Sequence, residues 1–346
     1  MGLGLSSPEV GLLKSTSLDF GQVHYVVDSD YRTAAQGWSR ADRTGPLDLY
    51  EARKSVAGNQ YVFRTADYAS PADRTCIQDA INATVDFRGD VVFFTPGSYS
   101  IATTSLVVDS ADIRLLGPTT SSPRMARVTL TDAIGDNSIS VDRVEVGYIR
   151  FVPLTAQNFW QLAAGADNGH MHHFYYDANG IAASTSTIFA AAAGTTNDDW
   201  AFTDFYGLTD AAQGPLLSFI GTYRNLTIKD FEWSHEAGTL ATCLLLENSA
   251  GDAGGPGPVD IRRGRGNIAG GGAVTNLVAL TDAGIDTAWI SVVDFRGAIG
   301  FCASGALISL SAGTGNTAEA AETGIANSFL DVVGAGAGGA GTAYTQ

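Results

Sequence analysis

Three segments of the chain can be laid over one another, and that overlay limits the fold more than any other feature. They are Leu226-Thr227-Ile228-Lys229-Asp230-Phe231, Val259-Asp260-Ile261-Arg262-Arg263 and Ile290-Ser291-Val292-Val293-Asp294-Phe295. Leu226 and Ile228 match Val259 and Ile261, 33 residues on, and then Ile290 and Val292, 31 further on. Val146-Gly147-Tyr148-Ile149-Arg150-Phe151 has the same shape, and a Phe follows in three of the four segments. A period of about 32 lies among solenoid repeats, where each unit buries its apolar face only against its neighbours. The overlay puts Lys229 over Arg262, Asp230 over Arg263 and Glu232 near Arg265. Such ladders are expected on the outside of a sheet. Val128 and Leu130, Ile139 and Val141, and Val144 with Val146 and Tyr148 carry the alternation upstream.

The stretch 74–117 shows how such a solenoid begins. Cys76, Ile77, Ala80 and Ile81 fall at helical spacing and give one apolar stripe. Asp90-Val91-Val92-Phe93-Phe94 is too short for a buried helix, and Gly89 and Thr95-Pro96-Gly97 bound it as a strand closed by a turn. Tyr99 and Ile101 alternate with polar neighbours, 106–108 is apolar, and Ile113-Arg114-Leu115-Leu116 stops at Gly117.

Those residues resemble the opening of a right-handed parallel β-helix of the pectate-lyase-like superfamily, common among bacteriophage tailspikes and other virion proteins. The resemblance lies in Ile77-Gln78-Asp79-Ala80-Ile81-Asn82-Ala83, Gly89-Asp90-Val91-Val92-Phe93-Phe94-Thr95-Pro96-Gly97-Ser98-Tyr99 and Ile113-Arg114-Leu115-Leu116-Gly117. It implies an all-β, single-stranded parallel β-helix in which the short helix caps the end of the solenoid. It does not choose an activity, since the superfamily includes lyases, hydrolases, glycan binders and inert fibres. Neither the Asp-His strand motif of pectate lyases nor the Gly-His-Gly, Asp-Asp and Arg-Ile-Lys set of polygalacturonases is assembled in the sequence.

Composition narrows the function classes. Net charge is −16 with a pI near 4.5, which opposes binding to nucleic acid. Lys occurs only at 14, 54 and 229, and such an acidic, Lys-poor surface stays soluble in salt. Cys76, Cys243 and Cys302 are far apart and imply no disulfide framework. No run approaches the ~20 apolar residues of a membrane span, and Met1-Gly2-Leu3-Gly4-Leu5-Ser6 lacks a signal core. The expected site of synthesis is a host cytoplasm, and the expected final location is a virion.

Taken in order, residues 1–70 read as an N-terminal attachment and capping segment, with Val23, Tyr25 and Val27 in one strand and 61–63 in a second. Tyr31, Arg32, Trp38, Arg40, Arg43 and Tyr50 are candidates for docking a partner, because Arg and aromatic side chains anchor protein interfaces. Residues 71–333 are the β-helix, with widened loops expected at about 153–214, and 334–346 is a Gly-rich tail without the apolar mass to fold alone.

Asn168-Gly169-His170-Met171-His172-His173 lacks the spacing of a helical metal pair and reads as an exposed loop, so no metal and no cofactor are expected. Glu232, Glu236, Glu247, Asp252 and Asp260 are conceivable members of a hydrolytic carboxylate pair, but no catalytic set is assigned. Trp200, Tyr206, Trp233 and Glu232, with His235 beside them, are glycan-binding candidates. The competing reading has the aromatic residues packing loops or a subunit interface. The sequence therefore points to a non-enzymatic bacteriophage virion protein. It would be a homotrimeric surface component, either capsid decoration or short spike, docked on a partner such as the major capsid protein. A tailspike depolymerase and a host-glycan-binding receptor protein are the alternatives.

Overall fold

The computed structural model describes residues 21–28, 62–119, 126–131, 135–154, 158–178, 187–210, 215–247, 258–268, 272–280, 288–297, 306–310, 321–326, 329–330 and 342–345. The six docking candidates between Tyr31 and Tyr50, and Cys302, lie outside them.

Among the described residues every strand pairing is parallel, and the strands stack into a right-handed parallel β-helix with three faces. The first face holds Val91–Phe94, Arg114–Leu116, Glu145–Gly147, His170–His172, the leading parts of Ala201–Thr209, Leu226–His235 and Val259–Ile268, then Ala288–Val293 and Ala321–Ala326. The second holds Gly97–Ile101, Ala126–Leu130, Ile149–Pro153, Tyr175–Asp177, the trailing parts of the same long strands, Arg296–Gly297 and Phe329–Leu330. Among the described residues the third face is nine strands in strict chain order, from Val107–Val108 to Thr342–Thr345.

The repeat found in the sequence is the ladder of the structure. Leu226 pairs with Val259 and Val259 with Ile290, and Ile228 pairs with Ile261 and Ile261 with Val292. Lys229 lies over Arg262 and Glu232 over Arg265, while Arg263 forks onto Asp230 at 2.5 and 2.6 Å. The fourth segment fits with a two-residue correction. Val146 pairs with Met171, Met171 with Phe202 and Phe202 with Ile228, so Val146 matches Ile228 rather than Leu226. Because side chains alternate in and out with period two, a slip of two keeps the apolar face inward and is invisible to pattern matching.

The coils turn sharply, and most of the described corners do so at single residues in the left-handed backbone region. Between the first and second faces these are Tyr148, His173, Asp204, Asp230, Arg263 and Asp294, with φ from 48° to 58°. Leading into the first face they are Gly89, Asp112, Arg143, Asn168, Asp199 and Asn225. Asp and Asn tolerate that backbone best after Gly. The next equivalent position is Pro258, whose ring forbids a positive φ, and the second series stops there.

Within 153–214 the connecting segments 155–157, 179–186 and 211–214, where the widened loops are expected, lie outside the described residues. The strands between them, Trp160–Leu162, His170–His172, Tyr175–Asp177, Phe189–Asp198 and Ala201–Thr209, pair in parallel with their neighbours, with one register shift between Ala191 and Thr195. The aromatic density that looked like loop packing fills the solenoid interior, where Phe151, Phe159, Phe189, Phe202 and Trp200 are buried. Of the Gly-rich tail, Thr342–Thr345 adds a last strand to the third face.

The helix Ala72–Asn82 closes the solenoid by the means the sequence suggested. Cys76, Ile77, Ala80 and Ile81 are fully buried. Its polar side chains meet the backbone groups that the first coil leaves unpaired. Gln78 donates to Val107 O and accepts from Val107 N, both at 2.9 Å, Arg74 donates to Ser105 O, and Asp73 accepts from Ser100 N at 2.8 Å. An open sheet edge is a template for pairing with another chain, and this helix blunts it. Val23–Val27 extends the first face beside Val91–Phe94, and Val62–Arg64 pairs with it in turn.

Candidate functional site

Chemistry-bearing side chains gather where the coils 145–153 and 170–177 turn from the first face to the second. On the first face, alternation sends Val146 and Met171 into the core and Glu145, His170 and His172 outward. His172 sits directly over Gly147, and a Cβ on that glycine would lie 2.6 Å from the imidazole ring. The missing side chain is what lets the ring lie flat and nearly buried. From there His172 Nε2 reaches Glu145 Oε1 at 2.8 Å, and His172 Nδ1 faces His173 Nδ1 at 2.9 Å. The His172 hydrogen bond holds the Glu145 carboxyl below the usual range, and Arg114, 3.2 Å from Oε2, adds to this. Tyr148, at the turn, stacks on His173 with ring centroids 4.8 Å apart and meets His172 edge-on at 5.2 Å. His170 is tied to Thr203 Oγ1 at 3.0 Å.

The exposed-loop reading of 168–173 is thus corrected. His170–His172 is a strand, Asn168 and His173 are its two turning residues, and Asn168-Gly169 marked a corner of the coil rather than a loop. Among the described residues no group of three His, Cys, Asp or Glu side chains is arranged to hold a metal ion.

Past the turn, on the second face, one outward column runs Arg127, Arg150, Tyr175, Tyr206, Glu232, Arg265, Arg296. Tyr175 and Tyr206 are half-exposed, with centroids 5.1 Å apart, and the Arg150 guanidinium lies 5.0 Å over the Tyr175 ring. Arg150 also pairs with Asp177. Glu232 accepts from Asn267 Nδ2 at 2.6 Å. Partial burial and then Asp177 push the Tyr175 hydroxyl up to about 12. Tyr206 is raised by burial against a hydrogen bond with Ser234, with Glu232, Glu236 and Asp177 adding to the rise. Three carboxylates therefore surround a tyrosine pair flanked by arginines.

Of the four glycan candidates, Tyr206 and Glu232 lie on this surface and the other two do not. Trp200 and Trp233 are each 1% exposed. Their indole N–H groups are satisfied inside, on Ala166 O and on Thr209 Oγ1. His235 is fully buried, shares Thr209 with Trp233, and has its pKa lowered by burial. These residues follow the packing reading. Asp260 is engaged by Arg262 at 2.7 Å, while Asp252 and the side chain of Glu247 lie outside the described residues. The sequence reading missed Arg150, Tyr175, Asp177 and Glu145. The signal was in the repeat: Arg150, Tyr175, Tyr206 and Glu232 share one column once the register is right.

No family model matches the chain, and no curated protein is similar to it in sequence. Two solved structures are similar in shape. An alginate lyase from Paenibacillus sp. str. FPU-7 superposes with a TM-score of 0.38 at 10% identity, over 75% of this chain and 97% of that one. ORF18 of Geobacillus virus E2 does so with a TM-score of 0.32 at 13% identity, over 90% of this chain and 74% of that one. At these scores neither likeness bears on what the chain does. The strand order and register, without either likeness, make it a parallel β-helix, as the resemblance of residues 77–117 implies.

Proposed function

We propose that the chain is a surface component of a bacteriophage virion that holds an acidic or mixed-charge glycan along its second face. The observation that carries the glycan reading is the outward column Arg150, Tyr175, Tyr206, Glu232, with Arg127 before it and Arg265 and Arg296 after it. In a chain of net charge −16, a column with four arginines and two partly exposed rings is a local exception. Tyrosine presents an apolar face for a sugar ring together with a polar tip. Arginine and carboxylates add directional bonds to hydroxyls and acid groups. Strands repeat every ~4.8 Å along the axis, a rise comparable with one hexose, so a linear glycan can place successive rings over successive coils.

The virion assignment, the homotrimer and docking on other virion proteins follow from the resemblance of the capped opening coil. They are tested by copy number in purified particles and by the mass of the isolated protein. Attachment through Trp38 and Arg40 is best tested by alanine substitution. A large N-terminal deletion would also remove Val23–Val27, a strand of the first face. For glycan binding, the test is a panel of bacterial surface polysaccharides against the intact protein and Tyr175→Ala with Tyr206→Ala. Retained binding in the double variant overturns this face as the site.

A further inference from the structure

The histidine corner carries more chemistry than a binding surface requires. Glu145 is held ionised by His172 and Arg114, so His172 Nε2 donates the hydrogen bond to it. With both imidazoles neutral, one proton arrangement remains. His172 Nδ1 then has only its lone pair to offer, so His173 Nδ1–H donates to it across 2.9 Å. The His173 Nε2 lone pair is left over. His173 is exposed, and among the described residues this nitrogen makes no hydrogen bond. A carboxylate that orients an imidazole, whose neighbour then presents a free lone pair to solvent, is how a general base is held in one tautomer.

The backbone singles out the same place. The turning residues of later coils are Asp204, Asp230, Arg263 and Asp294, whereas these two coils turn at Tyr148 and His173. A bulky aromatic at φ 58° is a poor choice for the turn alone. Tyr148 is held there against the His173 ring, fixing the base from its other side.

We propose that His173 is the general base of an ester-hydrolysing site on this corner, with Glu145 and His172 as positioning residues and an O-acylated glycan as the substrate class. Among the described residues no hydroxyl hydrogen-bonds to His173, and the buried Thr203 Oγ1 is bonded to His170, so the attacking group is water. His173 Nε2 takes a proton from water as the water oxygen bonds to the acyl carbon. The ester C–O bond then breaks, and His173 returns the proton to the departing sugar oxygen. The products are the free carboxylic acid and the sugar hydroxyl, with the base restored and no further reactant consumed. Ester cleavage suits this set because its leaving group needs only the proton the base has just taken. The glycan part of the proposal rests on the binding face beginning at Arg150, two residues past Tyr148.

The test has two arms. p-Nitrophenyl acetate needs no glycan site, whereas acetate release from O-acetylated gellan needs both. His173→Asn keeps a side chain that tolerates the turn and removes the base. It should lower kcat on both substrates about 10²–10⁴-fold, with gellan binding unchanged. Glu145→Gln should lower kcat at unchanged KM, and Glu145→Asp should recover part of it, which a merely structural role would not give. Gly147→Ala, which pushes the His172 ring aside, should resemble Glu145→Gln. Hydrolysis of p-nitrophenyl acetate no slower in His173→Asn than in the natural protein overturns the base. His173-dependent cleavage of p-nitrophenyl acetate without acetate release from gellan upholds the base and overturns the glycan as its substrate.

Discussion

Gly264 fills a gap in a ladder of rings, and adding one methyl group there tests the packing directly. Its column runs Phe174, Phe205, Phe231, Gly264, Phe295. Phe174 stacks on Phe205 at 4.7 Å and 7°, and Phe205 on Phe231 at 5.3 Å and 11°. Across Gly264 the order breaks: Phe231 and Phe295, two coils apart, tilt into the vacant position until their centroids are 6.2 Å apart. A Cβ at 264 would lie 2.3 Å from Phe231 Cζ and 2.8 Å from Phe295 Cδ2. Carbon contacts settle near 3.5–4.0 Å, so each ring must retreat by roughly 1 Å. Phe231 cannot retreat freely, because Phe205 is stacked behind it. Overpacking of this kind costs about 1–3 kcal/mol, and the stiffer unfolded chain returns about 0.4–1 of it. Gly264→Ala should therefore lose about 1–2 kcal/mol, read as a lower urea midpoint at unchanged slope. Phe231→Leu in the same chain should relieve the clash, making the double variant more stable than the two single losses add up to. A midpoint that stays or rises in Gly264→Ala, or strict additivity with Phe231→Leu, would refute the reasoning.

Ile261→Ala, in the middle of the Ile228–Ile261–Val292 column, should cost about 2–5 kcal/mol in the same urea assay. Trp200→Ala should cost about 3–5 kcal/mol and leave glycan affinity in the folded protein untouched, whereas Tyr206→Ala should do the reverse; isothermal titration beside thermal melts separates the two. Burial raises the Asp90 carboxyl, but hydrogen bonds from Arg88 and from the Gln22 and Val85 N–H groups outweigh this and hold it below the usual range. Its stabilisation is complete above the unfolded value of about 3.9 and is lost as pH falls through the lower folded one. Melting curves of Asp90→Asn and the natural protein should thus differ at pH 7 and converge in acid.

The parts of this fold legible in the sequence are those where one rule acts alone. The helix stripe at Cys76, Ile77, Ala80 and Ile81 was legible because nothing competes with the helical period there. The columns through Leu226 and Ile228 were legible because three successive coils keep nearly the same length. Register failed where lengths vary: Arg150 to Tyr175 is 25 residues and Tyr175 to Tyr206 is 31, so no fixed period aligns them. The site was lost with the register, since its residues belong together only through the columns. The histidines were misread for a related reason. Asn168-Gly169 is a sound turn signal, but in a coil that turns at a single residue the strand resumes at once.

Why the candidate chemistry sits at a corner follows from the same geometry. Outward side chains on one face of a parallel β-helix form straight columns about 4.8 Å apart, which suits long ladders better than convergent groups. The corner is different. A single left-handed residue swings the chain from one face to the next, so side chains before and after it splay over a common edge. Here Glu145 and His172 come from before the turn, Tyr148 and His173 are the turn, and Arg150 and Tyr175 follow it. Convergence also needs one column left empty for a ring to lie across, and Gly147 supplies it. One coil later Thr203 stands in that column and Asp204 at the turn, and no imidazole remains to continue the relay. The site is therefore confined to two coils by the identity of three residues, Gly147, Tyr148 and His173, while the surrounding fold repeats without them.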